Sequence, residues 1–133
     1  ALINAAKRGV DLRIITPGIP YKKIVFRVTR SYYQTLIKHG IRIYEYTPGF
    51  IHAKCFASDD KVATVGTINM DYRSLYLHFE NGVFMYKNDA VMQLKHDMEK
   101  TFEISQRITK EMCQGSLRKT LTQSVLRLLA PLL

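Results

Sequence analysis

The chain has 133 residues, 47% of them hydrophobic, which suits a single domain with a core of its own. Twenty Lys and Arg stand against 11 Asp and Glu, for a formal net charge of +9, so the expected partner or substrate is anionic: nucleic acid, a phosphorylated metabolite or an acidic lipid surface. Cys55 and Cys113 lack the paired spacing of a zinc site and the density of a disulfide scaffold, and no apolar run approaches the roughly 20 residues that cross a bilayer.

Ala1 to Arg8 has helical spacing and is stopped by Gly9. It shows no initiator Met, no capping residue and no signal-peptide order, so a segment of a longer protein is expected, with any membrane anchor lying outside it. Asp11 to Ile15 reads as a short strand buried on both faces, broken by Thr16-Pro17-Gly18-Ile19-Pro20. Ser31 to Lys38 reads as a helix with Gly40 as its stop, and Ile41 to Tyr46 alternates as a strand does before Thr47-Pro48-Gly49 repeats the earlier break.

From Ile51 to Thr67 two β-rich runs flank Ser58-Asp59-Asp60-Lys61, a composition for a tight hairpin turn. Phe79 to Tyr86 reads as a third strand, and Asn88 to Arg107 as a long amphipathic helix with Val91, Leu94, Met98 and Phe102 on its core stripe. Residues 1–115 form the expected domain. Residues 116–133 form an amphipathic tail, with Leu117, Leu121, Val125, Leu128 and Leu132 at helical spacing, that docks on its own domain or lies on an anionic membrane. Strands interleaved with helices, and a hairpin inside the sheet, predict an α/β sandwich with a mixed β-sheet flanked by helices.

The chemistry-bearing residues gather in the hairpin. If Asp59 and Asp60 form a two-residue turn, Ser58 pairs with Lys61, His52 falls opposite Thr67 and Lys54 opposite Val65. Strand alternation then sets His52, Lys54, Thr67 and, two residues on, Asn69 on one side. An imidazole, an ammonium, a hydroxyl and an amide converging at the open end of a hairpin suit phosphoryl chemistry. The imidazole attacks phosphorus or delivers a proton, and the other donors stabilise charge on the non-bridging oxygens. No His, Asp or Cys cluster has metal-ligand spacing, so neither a metal nor another cofactor is expected. Each element has a plainer reading too: Asp59 as a turn residue, Gly66 as a close packing point.

The whole pattern, His52-x-Lys54-x4-Asp59-x6-Gly66-Thr67-x-Asn69, resembles the signature of the phospholipase D superfamily, with Thr67 where many members have Ser. The resemblance implies His52 as nucleophile or general acid and base, Lys54 with Thr67 and Asn69 as phosphate ligands, and Asp59 as mainly structural. It continues through Asp71-Tyr72-Arg73-Ser74 to Glu80, at the acidic position that in the family holds the catalytic imidazole in its working tautomer. Ser31-Tyr32-Tyr33, Ile43-Tyr44-Glu45-Tyr46-Thr47-Pro48-Gly49-Phe50-Ile51-His52-Ala53-Lys54, Pro17-Gly18-Ile19-Pro20 and the Leu128-Leu129-Ala130-Pro131-Leu132-Leu133 ending resemble the bacterial cardiolipin synthases in particular.

That likeness implies transfer of a phosphatidyl group between two phosphatidylglycerol molecules at an anionic membrane, with no nucleic acid partner. It implies two histidines, the second from an N-terminal half of the same enzyme that carries a first signature. It also implies a bacterial cell membrane location with the catalytic part in a reducing compartment. His39, His78 and His96 are expected as surface or packing residues. Two rival readings stand: a single-signature nuclease or phosphodiesterase completed by homodimerisation, and a non-catalytic basic module for anionic lipid or nucleic acid.

Overall fold

Ile41 and Ile43, alternating with Arg42 and Tyr44, put branched apolar side chains on one side of a short strand, and that side is the centre of the core. The computed structural model describes residues 1–20, 22–113 and 127. In chain order the elements are α1 (Leu2–Lys7), β1 (Arg13–Pro17), α2 (Lys23–Lys38), β2 (Arg42–Tyr46), β3 (Cys55–Ser58), β4 (Val62–Gly66), α3 (Tyr72–Tyr76), β5 (Gly82–Tyr86), α4 (Asp89–Glu103), β6 (Gln106–Ile108) and α5 (Lys110–Cys113). The fold is α/β, as expected, but the strands form two three-stranded sheets, ordered β1-β2-β6 and β3-β4-β5.

The first sheet is mixed: β1 runs parallel to β2, with Arg13 beside Arg42, and β6 runs antiparallel to β2, with Ile43 beside Ile108. Tyr33, Ile41, Ile43 and Ile108 are buried together, and Leu2, Ile3, Leu12 and Leu36 pack around them. The Tyr33 hydroxyl shares a 2.7 Å hydrogen bond with that of Thr16, and Arg30 pairs with the buried Glu45 at 2.9 Å. These bonds fix α2 against β1 and β2 through polar groups that burial alone would penalise.

The second sheet is an antiparallel meander and belongs to the hairpin. Helix α4 touches β2, β3, β4 and β5, so it ties the two sheets together, with Val91 fully buried. Its start is chemically set: the Asn88 side chain accepts from Val91 N–H at 3.1 Å, an N-cap.

Several boundaries differ from the sequence expectation. Helix α2 begins at Lys23, eight residues before Ser31, because Val28 continues its buried stripe. Helix α4 stops at Glu103 rather than running to Arg107, since Arg107 and Ile108 pair with β2 and Ile108 enters the core. Strand β5 starts at Gly82, not Phe79, and the loop before it holds the short helix α3.

The hairpin turn is also corrected. Asp59 and Asp60 both take left-handed φ values, 52° and 57°, and Lys61 N–H closes on Ser58 C=O at 3.1 Å, as a two-residue turn should. The Lys61 carbonyl, however, accepts from Lys87 N–H at 2.7 Å, and the ladder begins at Ser58 beside Val62. Lys61 is an extra residue in its strand, as in a bulge. The register therefore moves by one: Cys55, not Lys54, lies opposite Val65, and His52 is not set opposite Thr67 by strand pairing.

The amphipathic tail expected over residues 116–133 lies outside the described residues except at Arg127. Its guanidinium donates to the Ser31 carbonyl and stands 5.0 Å from the centre of the Tyr32 ring.

Candidate active site

Apart from Asp59, the residues of the signature lie at or beside the open end of the β3–β4 hairpin, opposite its turn. His52 and Lys54 occupy the extended connection just before β3, and Gly66 N–H donates to Lys54 C=O at 3.1 Å, the last rung that holds this connection to β4. The Lys54 ammonium donates to the His52 carbonyl at 2.7 Å, which folds the ammonium back toward the histidine backbone. The His52 ring is exposed and stacks on Phe50, with ring centroids 5.8 Å apart and planes 15° from parallel.

Gly66 is a position that only glycine fits. A Cβ there would stand 2.2 Å from the Asn81 carbonyl oxygen and 2.6 Å from the Gly82 Cα. That closeness lets Thr67 reach across to the residues before β5. Thr67 N–H donates to Asn81 C=O at 2.9 Å, Asn81 N–H donates to the Thr67 hydroxyl at 3.0 Å, and that hydroxyl in turn donates to the Glu80 carboxylate.

The Thr67 and Ser74 hydroxyls hold the Glu80 carboxyl below its ordinary range, with the Lys54 charge adding to the effect. Ser74 is buried at the first turn of α3, where the Asp71 side chain caps the helix by accepting Ser74 N–H at 2.7 Å. The Asn69 amide donates to the Ser74 hydroxyl at 3.4 Å. For Lys54, partial burial pushes the ammonium below its usual pKa, while the carboxylates of Glu80 and Asp71 oppose that shift.

The structure thus brings Thr67, Asn69 and Glu80 into one network with Lys54 in its field. Among the described residues no hydrogen bond joins the His52 ring to Glu80, whose partners are hydroxyls. Asp59 stands at the far end of the hairpin, at the turn. Ser74 and Asp71 are site residues to which the sequence reading assigned no role; the signal was the Asp-x-x-Ser spacing of a helix cap. Of the other histidines, His39 bonds the Thr35 carbonyl at 2.8 Å, His78 accepts from Arg73 at 3.0 Å, and His96 is exposed on α4.

A hairpin that presents His-x-Lys at its open end, with Gly-Thr-x-Asn at the end of its second strand and an ionised carboxylate ahead of the next, on an α/β frame, defines a phospholipase D-like domain. Residues 1–103 match the family described as cardiolipin synthase, PLD-like domain. Over its whole length the chain is 49% identical to an uncharacterized protein of Streptococcus mutans serotype c, covering 29% of that protein. It is likewise 42% identical to a cardiolipin synthase of Geobacillus kaustophilus and 40% identical to cardiolipin synthase 2 of Bacillus anthracis, covering 27% and 26% of them. The chain belongs to the cardiolipin synthase PLD-like domain family. It spans little more than a quarter of the length of these relatives.

Proposed function

We propose that this chain supplies one half of the active site of a cardiolipin synthase, which passes a phosphatidyl group from one phosphatidylglycerol to the glycerol end of another and releases glycerol. In the first step a histidine ring nitrogen attacks phosphorus, the bond to the departing glycerol oxygen breaks, and a second histidine gives that oxygen a proton. In the second step the acceptor hydroxyl gives its proton to the same second histidine as its oxygen attacks, and the phosphorus–nitrogen bond breaks. His52 is one of the two histidines. The other belongs to a half bearing the first signature, which we assign to the same polypeptide.

Lys54, Thr67 and Asn69 bind the non-bridging oxygens, Glu80 holds their geometry through Thr67, and Asp59 shapes the hairpin turn. The observation that carries this reading is the Lys54–Thr67–Asn69–Glu80 cluster at the hairpin end where the His52 ring is exposed. Phosphohistidine chemistry requires a ring nitrogen open to substrate and donors fixed around the phosphate.

The test uses the protein at its natural length and its His52→Ala variant, measuring glycerol release and cardiolipin formation from phosphatidylglycerol vesicles. Loss of an acid, base or nucleophile is expected to slow turnover by at least about 100-fold. The exposed position of His52 predicts an unchanged melting temperature. Undiminished turnover in the variant would remove His52 from the chemistry. A folded wild type that leaves lipid untouched but cleaves simple phosphodiesters would favour the phosphodiesterase rival.

A further inference from the structure

The β1–α2 connection and the first turns of α2 carry a surface that the site does not use. Between Leu12 and Tyr44 the sequence contains Arg13, Lys22, Lys23, Arg27, Arg30, Lys38 and Arg42 and no Asp or Glu. Arg13 and Arg42 pair with Asp11, and Arg30 pairs with Glu45. Lys22, Lys23 and Arg27 are exposed and have no ion-pair partner among the described residues. Beside them Ile19, Ile24 and Val25 are 47%, 56% and 39% exposed. Ile24 lies on the same helical stripe as Val28 and Ser31, so the buried face of α2 runs on past the edge of the core into solvent.

Helix stability does not account for this arrangement. Lys22 at the N-cap and Lys23 at the first helical position set cations against the positive end of the helix dipole, with no side-chain cap and no acid in the first turn. A local rule broken without a folding gain points to function. The surface is also fastened to the site. Gly18 N–H donates to Tyr46 C=O at 2.8 Å, and a Cβ on Gly18 would stand 2.5 Å from that oxygen. The loop before α2 therefore adjoins the end of β2, from which the chain runs through Phe50 to His52.

We propose that this surface docks on an anionic lipid bilayer, with Ile19, Ile24 and Val25 entering the interface and Lys22, Lys23 and Arg27 lying against lipid phosphates. The inference deepens the phospholipid reading of the site and rests on it. Nucleic acid would be held by the cations alone and gives no use for exposed isoleucine and valine between them. Docking here would set the hairpin end at headgroup level, where a phosphodiester of the bilayer is within reach.

The test measures sedimentation of the 133-residue chain with vesicles of phosphatidylglycerol and phosphatidylcholine in equal parts, with circular dichroism as the check on folding. Each Lys or Arg near an anionic surface strengthens binding about fivefold, so K22Q/K23Q/R27Q is expected to weaken it on the order of 100-fold. Removing the apolar anchors in I24S/V25S is expected to weaken it roughly 10-fold. The variant K87Q/K100Q/K110Q removes the same charge elsewhere and is expected to bind as wild type does.

A wild type that does not sediment, or equal losses in the two charge variants, overturns the proposal. So does an I24S/V25S variant that binds vesicles normally while a single-stranded oligonucleotide displaces the chain. Turnover of a soluble short-chain phosphatidylglycerol, measured on the protein at natural length, separates this inference from the catalytic one. The K22Q/K23Q/R27Q variant keeps that turnover if only docking is lost, whereas absence of turnover in wild type strikes the catalytic reading and leaves the sedimentation result standing.

Discussion

Replacing Gly66 by alanine places a methyl group where the backbone of the Asn81–Gly82 segment already lies, 2.2 Å from one carbonyl oxygen and 2.6 Å from a Cα. Both neighbours are main chain, so no rotamer change relieves the overlap, and β4 and β5 must part by about 1 Å to reach normal contact. Overpacking of this kind costs about 1–3 kcal/mol. The Thr67–Asn81 hydrogen bonds, at 2.9 and 3.0 Å, are stretched by the same movement and are each worth about 1 kcal/mol.

The sum is about 3–5 kcal/mol, or a fall in melting temperature on the order of 15 °C for a chain of this size. Because Glu80 moves with Asn81, turnover of phosphatidylglycerol by the natural-length protein is expected to fall about 100-fold even well below the melting point. Urea unfolding of Gly66→Ala measures the first effect and vesicle turnover at low temperature the second. A variant within about 0.5 kcal/mol of wild type would refute the argument that glycine is there for the close approach of the strands.

Ile43→Ala is expected to destabilise the chain by about 2–5 kcal/mol in urea unfolding, since Ile43 is fully buried between β1 and β6. At the hairpin turn, Asp59→Gly is expected to leave stability close to wild type, whereas Asp59→Val costs about 1–2 kcal/mol, because only the second substitution fights the left-handed φ of 52°. The Glu80 carboxyl is depressed below 4.5 by the Thr67 hydroxyl first, so its stabilising effect is present above 4.5 and is lost as pH falls through the lower folded value. Thr67→Val is expected to raise the Glu80 titration toward 4.5 by carboxyl NMR, and an unmoved titration would show that the hydroxyl is not the cause.

The second strand, the stops at Gly9 and Gly40 and the core stripe of α4 were legible because each rests on a local rule: alternation, a left-handed glycine, a helical period. The hairpin was legible too, down to Asp59 and Asp60 as its turn, but its register was not. Pairing depends on whether Lys61 counts in the ladder, and that is decided by Lys87, a residue 26 positions away in sequence. Helix α3 went unread for a similar reason, as five residues show no period and only Asp71 marks the start. Glu80 was singled out by resemblance. Its bond to Thr67 rests on the strand contact at Gly66, which no spacing rule contains.

The division into two sheets bears on how the site works. The β1-β2-β6 sheet holds the core, whereas in the β3-β4-β5 sheet Ala63 is buried and α4 is the helix that touches all three strands among the described residues. On the opposite face Phe56, Phe84 and Tyr86 are exposed, and Phe79 is wholly so in the loop before Glu80. A phosphate site needs water kept away for Lys54, Thr67 and Asn69 to act strongly, since the same charges are worth far less in water than in a drier pocket. Among the described residues no element covers the aromatic face beside the signature, and we propose it as the surface on which a first-signature half would close and exclude that water. Closure by such a half would deepen the burial that already lowers the Lys54 pKa. Glu80 and Asp71 oppose that shift, and the Thr67 and Ser74 hydroxyls lower the Glu80 pKa further. In the proposed site the Thr67–Ser74–Glu80 network would therefore serve the lysine, by holding a negative charge near the ammonium that is proposed to bind the phosphate.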